Sequence, residues 1–330
     1  MSASNELVLK VRNLKKYFPL KKGQVLKAVD DISFDINKGE ILGFVGESGC
    51  GKSTMSRSIL QLIKPTGGKI LHHGDDLTTL TAPELRKRRR EMQMIFQDPF
   101  GSINPRRSVS ETIRMVLAIH KICTNREEED KVITNILKEV GLTPVETYWD
   151  KYPAMMSGGQ LQRVSMARVL VLQPDFIIAD EPVSMLDVSV RIGVLDLLLK
   201  MRELHDISFI YITHDLATAR YVCDRMAIMY MGRIVEIGPA EEILQNPQHP
   251  YTKALIAAVP EPNPEDDDVE LPLKDSTSGV SGTEEGGCRF FPRCPYGKDI
   301  CEKSVPDFTN IAENHKAACF LLGDKVKTIV

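Results

Sequence analysis

Gly46-Glu47-Ser48-Gly49-Cys50-Gly51-Lys52-Ser53 spells G-x-x-x-x-G-K-S, set between the apolar run Ile41–Val45 and a helical pattern. Glycines at those places let the backbone curl until its N–H groups face a phosphate chain at the positive end of a helix. Lys52 then neutralises β- and γ-phosphates, the Ser53 hydroxyl ligates Mg2+, and Thr54 joins the same nucleotide-binding set. This is the chemistry of a nucleoside-triphosphate site. A second pattern fits it. Phe176-Ile177-Ile178-Ala179-Asp180-Glu181 reads as a buried strand ending in two carboxylates. Asp180 suits a Mg2+ partner, directly or through water, and Glu181 suits the base that orients or activates the attacking water. No Asn-Lys-x-Asp guanine-reading motif is present, so adenine is favoured over guanine.

Ser157-Gly158-Gly159-Gln160 opens another helical stretch, giving a helix N-terminus with free N–H groups and a hydroxyl suited to an anion. Taken alone it is equally a helix cap. The seven cysteines divide into two sets. Cys50, Cys123 and Cys223 are scattered. Cys288, Cys294, Cys301 and Cys319 crowd together with spacings C-x5-C, C-x6-C and C-x17-C. Such spacing is looser than that of zinc knuckles and can hold an iron–sulfur cluster on four thiolates, with zinc as the alternative and four reduced thiols packing a small fold as the remaining reading. His315 reads as a surface residue, or as a replacement ligand in a zinc site.

The elements that must position these residues alternate. Ile32, Phe34 and Ile36 follow strand periodicity; Lys52 to about Ile63 follows helical periodicity and stops at Pro65. Further strands are expected at Met92–Phe96, Phe176–Ala179, Ser208–Ile212 and Met226–Met229, with helices separating most of them. That pattern is an α/β layered fold. Residues 100–168 read as mostly helical with no convincing strand, an inserted helical lobe. Residues 260–287, rich in Pro, Asp, Ser and Gly, read as a flexible linker, and 288–330 as a compact Cys-rich module.

Composition narrows the partners. Lys+Arg 42 against Asp+Glu 45, a formal charge of -3, excludes a generally basic nucleic-acid binder. No apolar stretch approaches the roughly 18 residues that span a bilayer. Met1–Lys10 lacks the apolar core of a signal peptide, so a cytosolic protein is expected.

The order of these motifs, with Tyr152-Pro153, Phe96-Gln97-Asp98-Pro99, Ser184-Met185-Leu186-Asp187 and Thr213-His214-Asp215, resembles the ATP-binding-cassette (ABC) ATPases across Leu7–Val259. The one departure is Met156, where the family signature usually carries Leu or another large apolar residue. The resemblance implies a P-loop NTPase cassette over 1–259 with an inserted helical subdomain. It implies that Tyr17, or else Phe18, stacks on adenine. Gln97 would sense Mg2+ and link the site to a membrane subunit, His214 would contact the γ-phosphate, and Asp187 would communicate across a dimer. Ser157, Gly158 and Gly159, with Gln160, would complete the ATP site of a partner cassette.

A narrower resemblance follows from Asn246-Pro247-Gln248-His249-Pro250-Tyr251-Thr252-Lys253-Ala254-Leu255 and Ala258-Val259-Pro260. This stretch looks like the C-terminal hallmark of oligopeptide and dipeptide importer ATPases. Leu26–Asp30 and Gly101–Arg106 agree with the second of the two ATPase subunits such importers often carry. The expected cofactors are then ATP, Mg2+ and a 4Fe-4S cluster at the four clustered cysteines, with Zn2+ as the alternative. The expected partners are a sister ABC ATPase in a heterodimer, two transmembrane permease subunits and an extracytoplasmic solute-binding protein, at the cytoplasmic face of the cell membrane. An importer of nickel or another small solute, and a soluble non-transport ABC ATPase, are the other readings the resemblance leaves open.

Overall fold

A computed structural model describes residues 6–258 and 286–323. In chain order the strands are β1 (Leu7–Pro19), β2 (Val25–Asn37), β3 (Ile41–Val45), β4 (Gly67–His72), β5 (Asp75–Asp76), β6 (Met92–Ile95), β7 (Phe176–Asp180), β8 (Ser208–Thr213), β9 (Arg225–Tyr230), β10 (Arg233–Pro239), β11 (Thr309–Ala312) and β12 (His315–Ala317). The helices are α1 (Lys52–Ile59), α2 (Ala82–Arg88), α3 (Pro99–Ser102), α4 (Val109–His120), α5 (Arg126–Glu139), α6 (Val145–Trp149), α7 (Gly158–Leu170), α8 (Val188–His205), α9 (Leu216–Val222), α10 (Ala240–Gln245), α11 (Pro250–Ala257) and α12 (Asp299–Lys303).

The chain divides into two compact units. One holds Asn37–Glu40 and Leu80–Ile212. Its strands β6, β7 and β8 are parallel, in registers such as Met94↔Ile178 and Ile178↔Ile210. All five residues of β7 are buried, which is what a strand covered on both faces requires of Phe176, Ile177, Ile178 and Ala179. From Pro99 to Leu170 the described chain forms helices and turns but no strand, as the apolar pattern predicts.

The other unit holds Leu9–Ile36, Ile41–Thr79 and the described residues from Thr213 onward. It contains an antiparallel sheet of order β2-β1-β4-β5. It also contains β3 paired parallel with β9, β9 antiparallel with β10, β10 with β12, and β12 with β11. Ile32, Phe34 and Ile36 are buried on alternate positions of β2, as expected.

Three expectations differ from the structure. Helix α1 ends at Ile59 rather than near Ile63. Gln61 takes a left-handed φ of 54°, and the N–H groups of Leu62 and Ile63 both donate to Arg57 O, closing the helix one turn early. Strands β1, β4 and β10 are absent from the periodicity. In β1, Asn13 (φ 48°) sits at a register shift between Arg12 and Lys15, and that bulge breaks the period of two. The Cys-rich segment does not stand apart: β12 extends the sheet through Glu236↔Ala317 and Ile237↔Lys316 and belongs to the same compact unit as Gly46–Ser53. The linker expectation at 260–287 lies outside the described residues except for Gly286 and Gly287.

Candidate functional site

Strand β3 delivers the chain into the Gly46–Ser53 loop, and Lys52 begins α1. Gly51 has φ 106°, and a Cβ there would collide with Ala28 O, so only glycine turns the chain this closely over β2. The loop is also tied by Gly232 N–H to Cys50 O at 2.7 Å. Lys52 is 5% exposed. Its ammonium donates to Gly46 O (2.5 Å) and Glu47 O (2.9 Å) and lies 3.7 Å from Cys50 Sγ. The loop thus stores its cation on its own carbonyls, and a phosphate oxygen is a stronger acceptor to which that cation can transfer. Burial raises the Cys50 thiol above its ordinary value, keeping it neutral beside that ammonium.

Tyr17, on β1, donates its hydroxyl to Asp30 on β2. Asp30 is 4% exposed and accepts from Arg233 (2.8 and 3.1 Å) and Arg289 (2.6 Å). Burial alone would raise the Asp30 carboxyl, but the Tyr17 hydrogen bond and the two guanidinium groups outweigh it and hold the group below the ordinary carboxylate range. The Tyr17 phenol is pushed up to about 12 by burial and by Asp30. His214 follows β8 on an exposed turn that Asp215 closes by capping α9.

The other unit gathers a second set. Glu181 directly follows β7 with φ 47°, a left-handed backbone rare for a non-glycine residue. Its N–H donates to Ile212 O and its C=O accepts from Ser184, which holds the strained turn. Gln97 Nε2 donates to Glu181 Oε2 at 2.9 Å, so two of the motif residues meet directly. Asp180 is buried at the strand end. Ser157 caps α7, accepting from Gln160 N–H while Gln160 Oε1 accepts from Ser157 N–H at 3.1 Å. A Cβ on Gly159 would collide with Val190, and one on Gly158 would press on Leu186 at 3.2 Å. The two glycines therefore let the α7 N-terminus pack against Leu186–Val190, placing Ser157–Gln160 beside the segment that carries Asp187, the N-cap of α8.

The chain is matched by the family model described as ABC transporter over residues 29–184 and by the one described as oligopeptide/dipeptide transporter, C-terminal region, over 235–301. It is 42% identical to the oligopeptide transport ATP-binding protein AppF of Bacillus subtilis, over 97% of this chain and 99% of that one. The chain belongs to the ABC transporter ATP-binding subunits of the oligopeptide/dipeptide class. A second relative, OppF of Bacillus subtilis, is 45% identical over 79% of this chain and 85% of its own length. Among solved structures, the dimeric cassette MJ0796 bound to ADP and phosphate is 28% identical with a TM-score of 0.63, covering 70% of this chain and 98% of that one. Membership makes the chain an ABC ATPase.

The four clustered cysteines converge on one pocket. Cys288, Cys294, Cys301 and Cys319 line it together with His249, Phe290, Phe291, Tyr296 and Phe320. None is in a disulfide. Among the described residues no three of the sulfur atoms lie within 4.8 Å of one another. Cys288 receives backbone N–H groups from Phe290 and Phe291, and Cys319 from Leu321. Burial and the neighbouring thiols raise Cys288, and Cys319 to about 11, so these two thiols are protonated unless a cation replaces the protons. Its four thiols and backbone N–H donors are residue types that could ligate a metal group.

His315 is not at the surface. It is 0% exposed, and its Nε2 lies 2.8 Å from Oε1 of an equally buried Glu236. Glu236 also accepts from the N–H groups of Gln248 and His249, both at 2.9 Å. His315 is not among the residues that line the cysteine pocket, although its Nδ1 is buried without a hydrogen-bond partner. Sequence reasoning missed Glu236, Asp30, Tyr251, Arg289 and Arg293. The available signal was arginine beside cysteine, in Cys288-Arg289 and Arg293-Cys294.

Proposed function

We propose that the chain is the ATP-hydrolysing motor subunit of a peptide importer, acting at the cytoplasmic face of the cell membrane through separate permease subunits. No described helix is long and apolar enough to cross a membrane, which supports assigning the pore to other chains. The observation that carries the catalytic part is Glu181, held in a left-handed turn with its carboxylate on Gln97. A carboxylate anchored this way at the end of a buried strand is preorganised to polarise an attacking water.

In this reading Tyr17 stacks on adenine, and residues 46–54 bind the phosphates, with Lys52 offsetting the charge that develops on the γ-phosphate. His214 contacts that phosphate. Ser53, Asp180 and Gln97 hold Mg2+, which supplies charge neutralisation when bound. Ser157, Gly158, Gly159 and Gln160 complete the ATP site of a second cassette, with Asp187 signalling between the two. MJ0796 is a dimer with ADP and phosphate, which supports a paired arrangement; the second cassette here is a sister ATPase. Two permeases and an extracytoplasmic solute-binding protein complete the importer, and residues 100–168 form the helical subdomain that meets the permeases. The four cysteines hold a 4Fe-4S cluster. The cluster staples a segment too small to build its own core.

The test is Glu181→Gln in the purified chain assembled with its partner subunits. ATP binding is retained while turnover nearly vanishes; near-normal hydrolysis would remove Glu181 from its role.

A further inference from the structure

An acidic residue in a loop built for an anion is an electrostatic liability. Glu47 is such a residue, and three of its groups are engaged. Its N–H donates to Tyr251 Oη at 3.0 Å, its C=O accepts from Lys52 at 2.9 Å, and its carboxylate accepts from Arg293 at 3.0 and 3.1 Å. Of these partners only Lys52 has phosphate as its alternative. When that ammonium transfers to a phosphate, the path of the loop at Glu47 is left to Tyr251 and Arg293.

Arg293 comes from the Cys-rich segment, immediately before Cys294. Its guanidinium also lies 5.9 Å from the ring centres of both Tyr230 and Phe290. Those rings pack with Tyr251 at 4.6 Å (Tyr230) and 5.5 Å (Phe290). The same wall therefore sets both remaining supports of Glu47.

A second arginine of the segment reaches the other end of the nucleotide surface. Arg289, next to Cys288, donates to Asp30 at 2.6 Å and also to Met231 O. Asp30 holds the Tyr17 hydroxyl. The Asp30 N–H donates to Gly232 O at 2.8 Å, and the Gly232 N–H donates to Cys50 O at 2.7 Å. A continuous chain of hydrogen bonds thus runs from Tyr17 through Asp30 and Gly232 into the loop.

We propose that Arg293 and Arg289 are positioning residues for nucleotide binding: Arg293 shapes and neutralises the phosphate loop through Glu47, and Arg289 orients Tyr17 through Asp30. The Cys-rich segment is then a structural part of the nucleotide site as well as an appendage stapled by its thiols. This rests on the ATP-site assignment above, and the test separates the two.

The measurement is equilibrium binding of a fluorescent ATP analogue to the full chain, with ATP and inorganic tripolyphosphate as competitors and kcat measured at saturating ATP. Arg293→Ala weakens ATP and tripolyphosphate alike, by about two- to five-fold, the range of a partly exposed ion pair, with kcat retained. Arg293→Lys recovers most of the loss. In a Glu47→Gln background, Arg293→Ala has little further effect, because the charge it served is gone. Arg289→Met weakens ATP but leaves tripolyphosphate competition unchanged. Tyr17→Phe, which keeps the ring and removes only its tether, shows the same selective loss if the buried Arg289 variant does not fold. Unchanged affinities with a smaller active fraction would make both arginines merely structural and overturn the proposal while the ATP site stands. Equal losses of Arg293→Ala in the wild-type and Glu47→Gln backgrounds would also overturn it. A wild-type chain that binds no nucleotide would overturn both.

Discussion

His249 carries a pH dependence that the structure makes quantitative. The residue caps α11 with an unprotonated ring nitrogen: Nδ1 accepts from Tyr251 N–H at 3.0 Å. It is 1% exposed, and burial lowers its ring from 6.5 to about 3. Because the folded ring refuses the proton that the unfolded ring accepts, stability is full above the unfolded value of 6.5 and falls as pH drops toward about 3. Between about pH 7.5 and about pH 5 the unfolded imidazole gains close to a full proton. The loss is about 1.5 pH units at about 1.36 kcal/mol each, or about 2 kcal/mol. Near-complete burial means no discount for solvent screening. The figure holds for any folded value well below 5.

The perturbation is His249→Asn, which keeps a good N-cap acceptor and removes the titration. Urea unfolding of both proteins, in the same metal state and at both pH values, isolates the residue, since every other ionisable group is common to the two. Asn is smaller and leaves a cavity, so the variant starts less stable at neutral pH. Its further loss on acidification should be smaller than that of the wild type by about 2 kcal/mol. Equal acid losses would refute the reasoning, because they would mean the folded ring is already protonated and cannot be the acceptor for Tyr251.

Two further outcomes test the remaining site assignments. Ser157→Ala removes half of the capping box on α7; it should cost about 1 kcal/mol or less of stability at this exposed position, yet lower turnover far more if the hydroxyl serves a partner's ATP. Thermal unfolding beside steady-state ATPase assays separates the two effects. Cys301→Ser, purified anaerobically, should lose most of its iron and acid-labile sulfide relative to wild type, and a wild type holding zinc without sulfide would replace the cluster by a structural zinc site.

The parts of this molecule legible in its sequence are those whose chemistry and periodicity agree. The Gly46–Ser53 loop is flanked by a strand and a helix where apolar spacing places them, and β7 ends in Asp180, with Glu181 directly after it, because the four buried positions Phe176–Ala179 leave no room for anything polar sooner. The strands that stayed hidden each carry a local exception. In β1 it is the bulge at Asn13; in β10 it is a register shift between Ile234 and Glu236, with a carboxylate where the pattern calls for an apolar side chain. Helix α1 was overextended because Leu60, Leu62 and Ile63 keep helical spacing past the point where Gln61 turns left-handed. The Gln97–Glu181 hydrogen bond joins residues 84 positions apart, and the Arg293–Glu47 pair joins residues 246 apart. Pairings of that range leave no local trace except residue type.

Glu236 shows why such an exception is retained. A fully buried carboxylate is a poor source of net stability, since losing its hydration offsets much of what its partners return. What it supplies is registry. Strand β12 meets β10 through a short register, Glu236↔Ala317 and Ile237↔Lys316, continued by the Ala318 N–H donating to Val235 O at 2.8 Å. With so few contacts, a slip by one residue would turn every side chain of β12 to the other face at little backbone cost. Glu236 forbids that slip, because His315 must reach its Oε1 while the N–H groups of Gln248 and His249 fix the same carboxylate from the turn before α11. One buried acid therefore aligns the returning chain that follows Cys288, Cys294 and Cys301 with the helix whose Tyr251 supports the phosphate loop. An apolar residue at 236 would leave His315 and the N–H groups of Gln248 and His249 without their acceptor, so its effect belongs in melting temperature as well as in nucleotide affinity.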